Sequence, residues 1–270
     1  QRYSFYFILQ NFLEYFFEKP CIFVFLHLML TKSKAIVLHS LKYGEASLIV
    51  DVLTEEQGRI SFVVRIPKTS KARVKKQLFQ PLTLLEIEYD YRERSSLQRL
   101  RDARLSLPYY INIQQDPSKL AEAFFLSEFL GYATRDEQQN KPLFLYIERS
   151  LEWLDAAKKN FANFHLVFLI HLSGFIGFFP NLDNFTEGCY FDLREGRFVT
   201  SVPLHSDFLQ PLQTFRLAGL MRMNFDNMHL FRMSRVQRQQ ILDVILQYYR
   251  LHIPQMPELR SVAVLQELFD

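Results

Sequence analysis

A basic run without any acidic neighbour is the part of this sequence whose chemistry is easiest to interpret. No aspartate or glutamate occurs between Arg59 and Leu85. A solvated charge run is the simpler interpretation, but so many cations without compensating acids favour a polyanionic ligand. Crowded lysines and arginines can neutralise phosphates without reading bases, so the run predicts a nucleic-acid site. Its basic residues are Arg59, Arg65, Lys68, Lys71, Arg73, Lys75 and Lys76.

A second basic group follows, partly offset by two acids. Two arginines fall on a turn before a predicted strand, and we expect them to extend the same nucleic-acid site. Three others alternate along that strand and fit a solvent-facing side equally well. The two on the turn are Arg92 and Arg94, and the alternating three are Arg99, Arg101 and Arg104.

Three aromatic residues close to the basic run are candidate platforms for bases: Phe79, Tyr89 and Tyr91. Aromatic rings bind single strands by stacking on successive bases. Packing in the core is the commoner fate of such side chains, and we expect it for at least one of the three.

The sequence contains none of the short motifs that mark common active sites. A phosphate-binding loop, a dinucleotide-binding glycine pattern, a nucleophile elbow and a zinc-protease helix are all missing. His165 and His171 lie on different faces of one predicted helix. Cys189 has no histidine or cysteine near it, and two cysteines in the chain fit a reducing compartment. We therefore expect no enzyme activity, no metal and no cofactor.

The basic residues lie among short segments that have the composition of strands. Five such segments fall within about 80 residues, which favours a small barrel over a βαβ fold. Gly58 precedes the third segment, at a turn where a positive φ is expected. The segments are Ser33–Leu41, Ser47–Leu53, Arg59–Ile66, Leu82–Tyr91 and Gln98–Leu107.

From Asp116 the hydrophobic period becomes helical. Asp116 before Pro117 is typical of a helix start, and Ser234 caps a later helix that runs to His252. A segment from Ala162 to Phe178 is apolar nearly all round, which predicts a central buried helix. A hairpin with Gly196 at its turn interrupts the helices. The chain is therefore expected to be α+β, with a barrel over residues 29–110 and a mainly helical domain over 111–270.

Charge is distributed unevenly between these parts. Residues 29–110 carry 15 lysines and arginines against 9 acids, a net +6, whereas residues 111–270 carry 15 against 18, a net −3. The first 28 residues hold ten aromatics and no methionine. They fit neither a signal peptide nor a membrane helix, because acids and Pro20 interrupt the apolar stretch. We expect this segment to be a non-native upstream extension.

The order of several motifs resembles the RecO family. A strand leads to the turn Tyr43-Gly44-Glu45, and a second strand leads to the turn from Thr54 to Gly58. Gln80–Tyr89 resembles the family's next strand, and Phe125–Arg135 and Phe164–Leu182 resemble its helical half. The resemblance extends from about Met29 to Phe269 and is nearest to RecO proteins of the Bacteroidetes type.

This resemblance implies an N-terminal OB-fold and a C-terminal helical domain. It also implies a cytoplasmic, nucleoid-associated DNA repair protein that binds single- and double-stranded DNA and anneals complementary strands. Its partners would be RecR and the C-terminal tail of the single-stranded-DNA-binding protein SSB, and it would help load RecA on SSB-coated DNA. No membrane association is expected.

One stretch departs from the family pattern. Many RecO proteins carry two C-x-x-C pairs after the central helix, whereas Cys189 stands alone in this region. Four ligands are needed to close a structural zinc site. We therefore expect a degenerate hairpin without zinc at about residues 181–205, held by the packing of Phe185, Tyr190, Phe191 and Phe198.

A surface for the SSB tail is expected between Met221 and Arg238. An acidic tail that ends in Pro-Phe needs an apolar pocket and cations. Four methionines and four arginines could supply them, although methionines that fill core and arginines that face solvent explain the segment as well. Lys158 and Lys159 are a rival cationic site. The segment's residues are Met221, Met223, Met228 and Met233 with Arg222, Arg232, Arg235 and Arg238.

Two other classes of function stay open at this point. A basic barrel does not distinguish DNA from RNA, so an OB-fold RNA-binding or translation-associated protein is the main alternative. An enzyme whose active-site residues are scattered along the sequence is the other.

Overall fold

The structure, a computed structural model, describes residues 29–66, 74–106 and 110–268. The expectation for the first 28 residues lies outside this part, as do the side chains of Lys68, Lys71 and Arg73. Five strands form a closed barrel in the order β1-β2-β3-β5-β4, which confirms the predicted OB-fold type of architecture. The strands are β1 (Met29–Tyr43), β2 (Ser47–Thr54), β3 (Gly58–Arg65), β4 (Leu84–Tyr91) and β5 (Leu97–Leu105).

The barrel closes because β1 is long enough to pair with two strands. Its first half pairs antiparallel with β4, from Met29 opposite Tyr91 to Ile36 opposite Leu84. Its second half pairs with β2, and β3 pairs in parallel with the start of β5. A short 3-10 helix, Lys76–Phe79, packs against the barrel core through Phe79. Val50, Phe62 and Tyr89 are almost fully buried inside.

A β-bulge in β1 reverses which residues point outward. Val37 is opposite Val52 and His39 is opposite Asp51, so Leu38 is the extra residue. Val37 belongs to the barrel core, whereas Leu38 packs against the helices. A bulge of this kind re-aims the strand beyond it. Residues after Leu38 therefore face the opposite side from the one that uninterrupted alternation would give them.

Seven α-helices follow in the described part of the chain. The predicted central helix is confirmed as α4, in which Leu166 and Leu169 are fully buried. The predicted starts are confirmed too, because Asp116 and Ser234 cap helices through their side chains. None of the described helices is long and apolar enough to cross a membrane. The helices are α1 (Ile111–Gln115), α2 (Pro117–Ala133), α3 (Lys141–Ala156), α4 (Phe164–Phe175), α5 (Pro211–Met221), α6 (Arg235–His252) and α7 (Ser261–Leu268).

The predicted hairpin is part of a small separate sheet of three strands. Strands β6 (Tyr190–Asp192) and β7 (Arg197–Val199) form the hairpin, with Gly196 at φ +64° in its turn. A third strand, β8 (Phe208–Leu209), pairs with β6 and was not predicted. Phe198 packs edge-on against Phe185 and Phe191, with ring centroids 5.2 and 5.0 Å apart. Ring packing therefore holds this sheet, as expected.

One outer face of the barrel is covered by the helices. We call this the sealed face, and its residues belong to the same buried cluster as the helical core. Polar contacts border it: the Ser127 hydroxyl donates to the Leu38 carbonyl, and the Lys34 ammonium lies 2.7 Å from the Glu148 carboxylate. The sealed face consists of Ile36, Leu38, Leu53, Leu82 and Leu84, each 3% exposed or less.

Candidate nucleic-acid interface

Ion pairs divide the basic residues of the barrel into two groups. Arg101 contacts Asp90 at 2.7 Å and Arg104 contacts Glu86 at 2.5 Å, so both arginines are compensated locally. Lys32 similarly contacts Glu88 at 2.7 Å. These pairs lie on neighbouring strands and neutralise that side of the barrel. A phosphate would have to compete with a carboxylate for each of these cations.

Arg59, predicted to bind DNA, serves a different role. Its guanidinium lies 3.0 Å from the Asp51 carboxylate and also donates to the Gly131 carbonyl at the end of α2. Its side chain is only 16% exposed, and its backbone N–H donates to the Glu137 carbonyl oxygen. Arg59 therefore joins the barrel to the helices and is not available to a phosphate.

The other predicted cations are placed differently. Those within the described residues are exposed, and none of them has an acidic partner there. Arg65 ends β3 at the point where the chain enters the segment of Lys68, Lys71 and Arg73. Unpaired cations keep their full charge for a ligand, and phosphates can replace their counterions. The exposed cations are Arg65, Lys75, Lys76, Arg92 and Arg94, together with Lys42 and Arg99.

An open groove of about 790 Å³ lies beside these cations, between β3 and β5. Val63, Arg65 and Arg99 line it, and Val74 closes one side. Two acids, Glu88 and Asp102, also contribute to its lining. The first of them is paired with a lysine, as described above. The groove therefore combines apolar walls with the guanidinium groups of Arg65 and Arg99.

Two of the three predicted stacking platforms are core residues. Tyr89 is fully buried inside the barrel, with its ring 5.0 Å from that of Phe62, and Phe79 is 3% exposed. Burial raises the pKa of Tyr89 to about 12. Tyr91, half-buried, packs edge-on against Tyr89. The prediction of a stacking role is therefore wrong for Tyr89 and Phe79, because neither ring is accessible to a base.

Of the four exposed apolar residues on the barrel strands, two that lie close together in β1 were missed as site residues. Leu41 is 56% exposed and Tyr43 is 57% exposed, both near the end of β1. The only signal in the sequence is the turn glycine, Gly44, because the bulge that exposes them leaves no local mark. We use the term open face for Leu41, Tyr43, Ile49, Val63, Arg65 and Arg99, which are joined by strand pairing from β1 to β5.

Comparison with known proteins identifies the chain. The family model described as "Recombination protein O N terminal" matches residues 29–109, and "Recombination protein O C terminal" matches residues 114–261. The chain belongs to the RecO family. The chain is 51% identical over 243 residues to the DNA repair protein RecO of Bacteroides fragilis, covering 90% of this chain and 100% of the relative.

Other relatives give the same coverage. The DNA repair protein RecO of Phocaeicola vulgatus is 48% identical over 242 residues, and that of Porphyromonas gingivalis is 35% identical over 248 residues. Each match covers 90% of this chain and 100% of the relative. The two RecO family models correspond to the barrel and to the mainly helical part described above.

The methionine groove predicted for a partner peptide is not formed in this RecO member. Met221, Met223 and Met228 are at most 3% exposed and fill the helical core. Of the four arginines, Arg222 lies over the Phe185 ring at 5.5 Å, and Arg238 donates to the Met233 carbonyl. The idea that these three methionines form the surface is therefore wrong, because their side chains have no access to a ligand. Met233, the fourth methionine of the hypothesis, is half-buried.

Other apolar side chains occupy the same surface of the helical part. They lie on α5, on the 3-10 helix Met228–Leu230 and at the start of α6, among Arg222, Arg232 and Arg235. Phe231 packs against Gly219 of α5, so the patch continues from one element to the next. Its exposed members are Leu212 at 65%, Phe215 at 67%, Leu230 at 69%, Phe231 at 42% and Val236 at 62%.

The histidines and Cys189 have structural surroundings, as expected from the sequence. The His165 imidazole lies 2.8 Å from the buried Glu122 carboxylate, and the His171 ring contacts the Met223 carbonyl. Cys189 is buried. Within the described residues, no three histidine, cysteine, aspartate or glutamate side chains are grouped as a metal ion would require.

Proposed function

We propose that this RecO family member acts in DNA repair as a recombination mediator. It binds single- and double-stranded DNA on the barrel, anneals complementary strands and helps RecA load on SSB-coated DNA, in the cytoplasm at the nucleoid. The observation that carries this proposal is the set of exposed cations around the open face. They lack acidic partners within the described residues, whereas the cations on the neighbouring strands are paired.

Phosphate binding by these cations explains how one protein serves many sequences. Lysines and arginines on loops and strand ends contact backbone phosphates and carry no base code. Two strands that are both held through their phosphates remain free to pair with each other. Annealing of this kind needs no catalytic residue and no nucleotide cofactor, so we propose that the protein is not an enzyme.

An annealing assay tests the proposal. Two complementary DNA oligonucleotides, one labelled with a donor and one with an acceptor dye, are mixed with the protein without any nucleotide. We expect faster pairing than in buffer, and the same with oligonucleotides coated by SSB. A protein that binds and pairs only RNA would favour the RNA-binding alternative. Absence of DNA annealing would contradict the proposal.

We also propose that RecR and the SSB tail are partners. For the SSB tail, the exposed apolar patch beside Arg222, Arg232, Arg235 and Arg238 offers both groups that the ligand needs. The ring of a terminal Phe packs against apolar side chains, and the carboxylates bind the arginines. Phe215 and Phe231 replace the methionines of the sequence-based hypothesis in this role.

Fluorescence anisotropy with a labelled SSB tail peptide tests this surface. Replacing the four arginines with alanine should weaken peptide binding while the fold and DNA binding persist. Lys158→Ala with Lys159→Ala is the matched control, because these lysines are exposed cations on another part of the helical region. Weakening by the lysine variant instead would place the peptide at the rival site.

A further inference from the structure

We infer that the open face of the barrel is a platform for unstacked bases, with Tyr43 as its stacking residue. This inference rests on the proposed function and deepens it. In this inference, the apolar side chains make the protein prefer single-stranded DNA. The surrounding cations bind the phosphates of single-stranded and double-stranded DNA alike.

Strand pairing defines the platform. Leu41 is opposite Ile49, Ile49 is opposite Val63, and Val63 is opposite Arg99, so one row crosses four strands. Side chains of directly paired residues lie on the same face of a sheet, within contact distance. The row is therefore a continuous apolar strip that ends at a guanidinium.

A second row runs beside the first. Tyr43 is opposite Ser47, and Ser47 is opposite Arg65. The small serine leaves space between the phenol ring and the guanidinium. Consecutive residues on one face of a strand are two positions apart, or about 7 Å. That spacing places Tyr43 next to the apolar strip, so a base on the ring and a base on the strip could belong to neighbouring nucleotides.

The bulge in β1 is the reason that this platform is exposed. Ala35 and Val37 point into the barrel, and uninterrupted alternation would send Leu41 and Tyr43 inside as well. The extra residue Leu38 reverses the phase, so both side chains lie outside and remain more than half exposed. A leucine and a tyrosine that stay exposed forgo the favourable transfer of their apolar surface out of water. A ligand that covers them recovers part of it.

Charge decides which ligand fits. Arg65 and Arg99 lie in the two rows of the platform and have no acidic partner within the described residues. Of the nearby acids, Asp51 is held by Arg59 and the Ser61 hydroxyl, and Glu88 is paired with Lys32. Asp102 lines the groove beside Arg99, and Glu45 lies exposed on the turn. An apolar strip between cations suits a chain whose phosphates and base faces are both accessible, and only an unpaired strand offers this. In duplex the base faces are stacked on each other, which leaves the cations as the shared contact.

The test compares DNA affinities of Tyr43 variants in the full chain. Dissociation constants are measured by anisotropy for an oligo-dT strand and for a duplex of the same length, at one salt concentration. Tyr43→Ala should weaken single-strand binding by roughly 5- to 150-fold, the range for loss of one stacked base, and leave duplex binding within about twofold. Tyr43→Phe should bind like the wild type, because the ring is kept.

Phe124→Ala is the control, since Phe124 is 44% exposed on α2 and lies outside the platform. Its two affinities should not change. Equal weakening of single strand and duplex by Tyr43→Ala, or unchanged single-strand affinity, would overturn the inference while leaving the proposed DNA binding intact. If the wild type bound neither DNA form, the proposed function itself would fail. A protein partner on this face would appear as loss of that partner with normal DNA binding, which also overturns the inference.

Discussion

The barrel has two apolar outer faces with opposite surroundings. Its sealed face, which includes Leu38 and Leu53, is buried to 2% exposure by the helices of the same chain. The open face begins only a few residues further along β1, where Leu41 and Tyr43 are more than half exposed. Both faces are apolar, yet the described residues of this chain cover only one of them.

Within one small domain, the residues that stabilise the fold and the residues proposed to bind DNA therefore lie on different faces. On the sealed face, Arg59 and Lys34 use their charges to join the barrel to the helices. On the open face, Arg65 and Arg99 have no such partners within the described residues and stay exposed. We therefore expect substitutions on the sealed face to change the free energy of unfolding and substitutions on the open side to change DNA affinity.

The largest expected effect is on the sealed side, at Gly58. It has φ +71°, and an added Cβ would lie 2.3 Å from the Gln138 carbonyl oxygen. Gly58→Ala combines a left-handed backbone penalty of about 1–2 kcal/mol with overpacking of about 1–3 kcal/mol. Urea unfolding should show a loss of about 3 kcal/mol. Gly44→Ala, at φ +67° with open space around it, should lower the free energy of unfolding only by the backbone penalty. An equal loss of unfolding free energy in the two variants would contradict the difference between the two faces.

The second expected effect is on DNA affinity and its salt dependence. Lys68, Lys71, Arg73, Lys75 and Lys76 changed together to alanine should weaken binding of different sequences about equally. The slope of log K against log salt should flatten by up to about 0.7 per lost phosphate contact on single strands. Stability should hardly change. The Lys158→Ala, Lys159→Ala variant provides the control. An unchanged salt slope in the variant with all five substitutions would refute this placement of the DNA site.

The ion pair at the border of the sealed face should make a small, pH-dependent contribution to stability. The Glu148 carboxylate raises the pKa of Lys34 above its usual 10.5. A raised pKa of a cation stabilises the fold below the unfolded value, and this stabilisation is lost as pH rises through the folded value. Lys34 is 40% exposed, so the contribution is well under about 1 kcal/mol. The stability difference between wild type and Lys34→Met should therefore shrink above about pH 10.5.

Lys42→Met is the control for that measurement, because Lys42 is an exposed lysine of the same strand and has no acidic partner within the described residues. Its stability difference should stay constant over the same pH range. A Lys34→Met difference that did not shrink would show that the ion pair contributes nothing to joining the barrel and the helices.

The smallest expected effect is that of a chelator. The three-stranded sheet is held by ring packing of Phe185, Phe191 and Phe198. We predict that the purified protein carries no stoichiometric zinc and that EDTA leaves Tm unchanged. One equivalent of tightly bound zinc by elemental analysis would contradict this.

Local rules were sufficient to predict much of the fold. The caps at Asp116 and Ser234 and the positive φ of Gly58 depend on neighbours in sequence. The buried helix α4 follows from its apolar composition. These features need no knowledge of distant contacts, which is why the barrel and the helical part were both foreseen.

The site was harder to predict because distant residues decide it. Arg59 looked like its basic neighbours, but its partner Gly131 lies 72 positions away. The bulge at Leu38 appears only when β1 is paired with β2, and it alone moves Tyr43 to the surface. Composition therefore located the basic segment, whereas pairing decided which cations and which aromatic ring are accessible.

The central claim is that single-stranded DNA lies on the open face. Trp153 is the single tryptophan and lies on α3, stacked on Phe225 at 5.3 Å. Tyr43→Trp in a Trp153→Phe background places the only indole on the open face. Saturating oligo-dT should quench the fluorescence of this introduced indole by stacking, whereas the emission of Trp153 in the wild type should not be quenched. Unchanged emission from the introduced indole while anisotropy shows bound oligonucleotide would contradict the central claim.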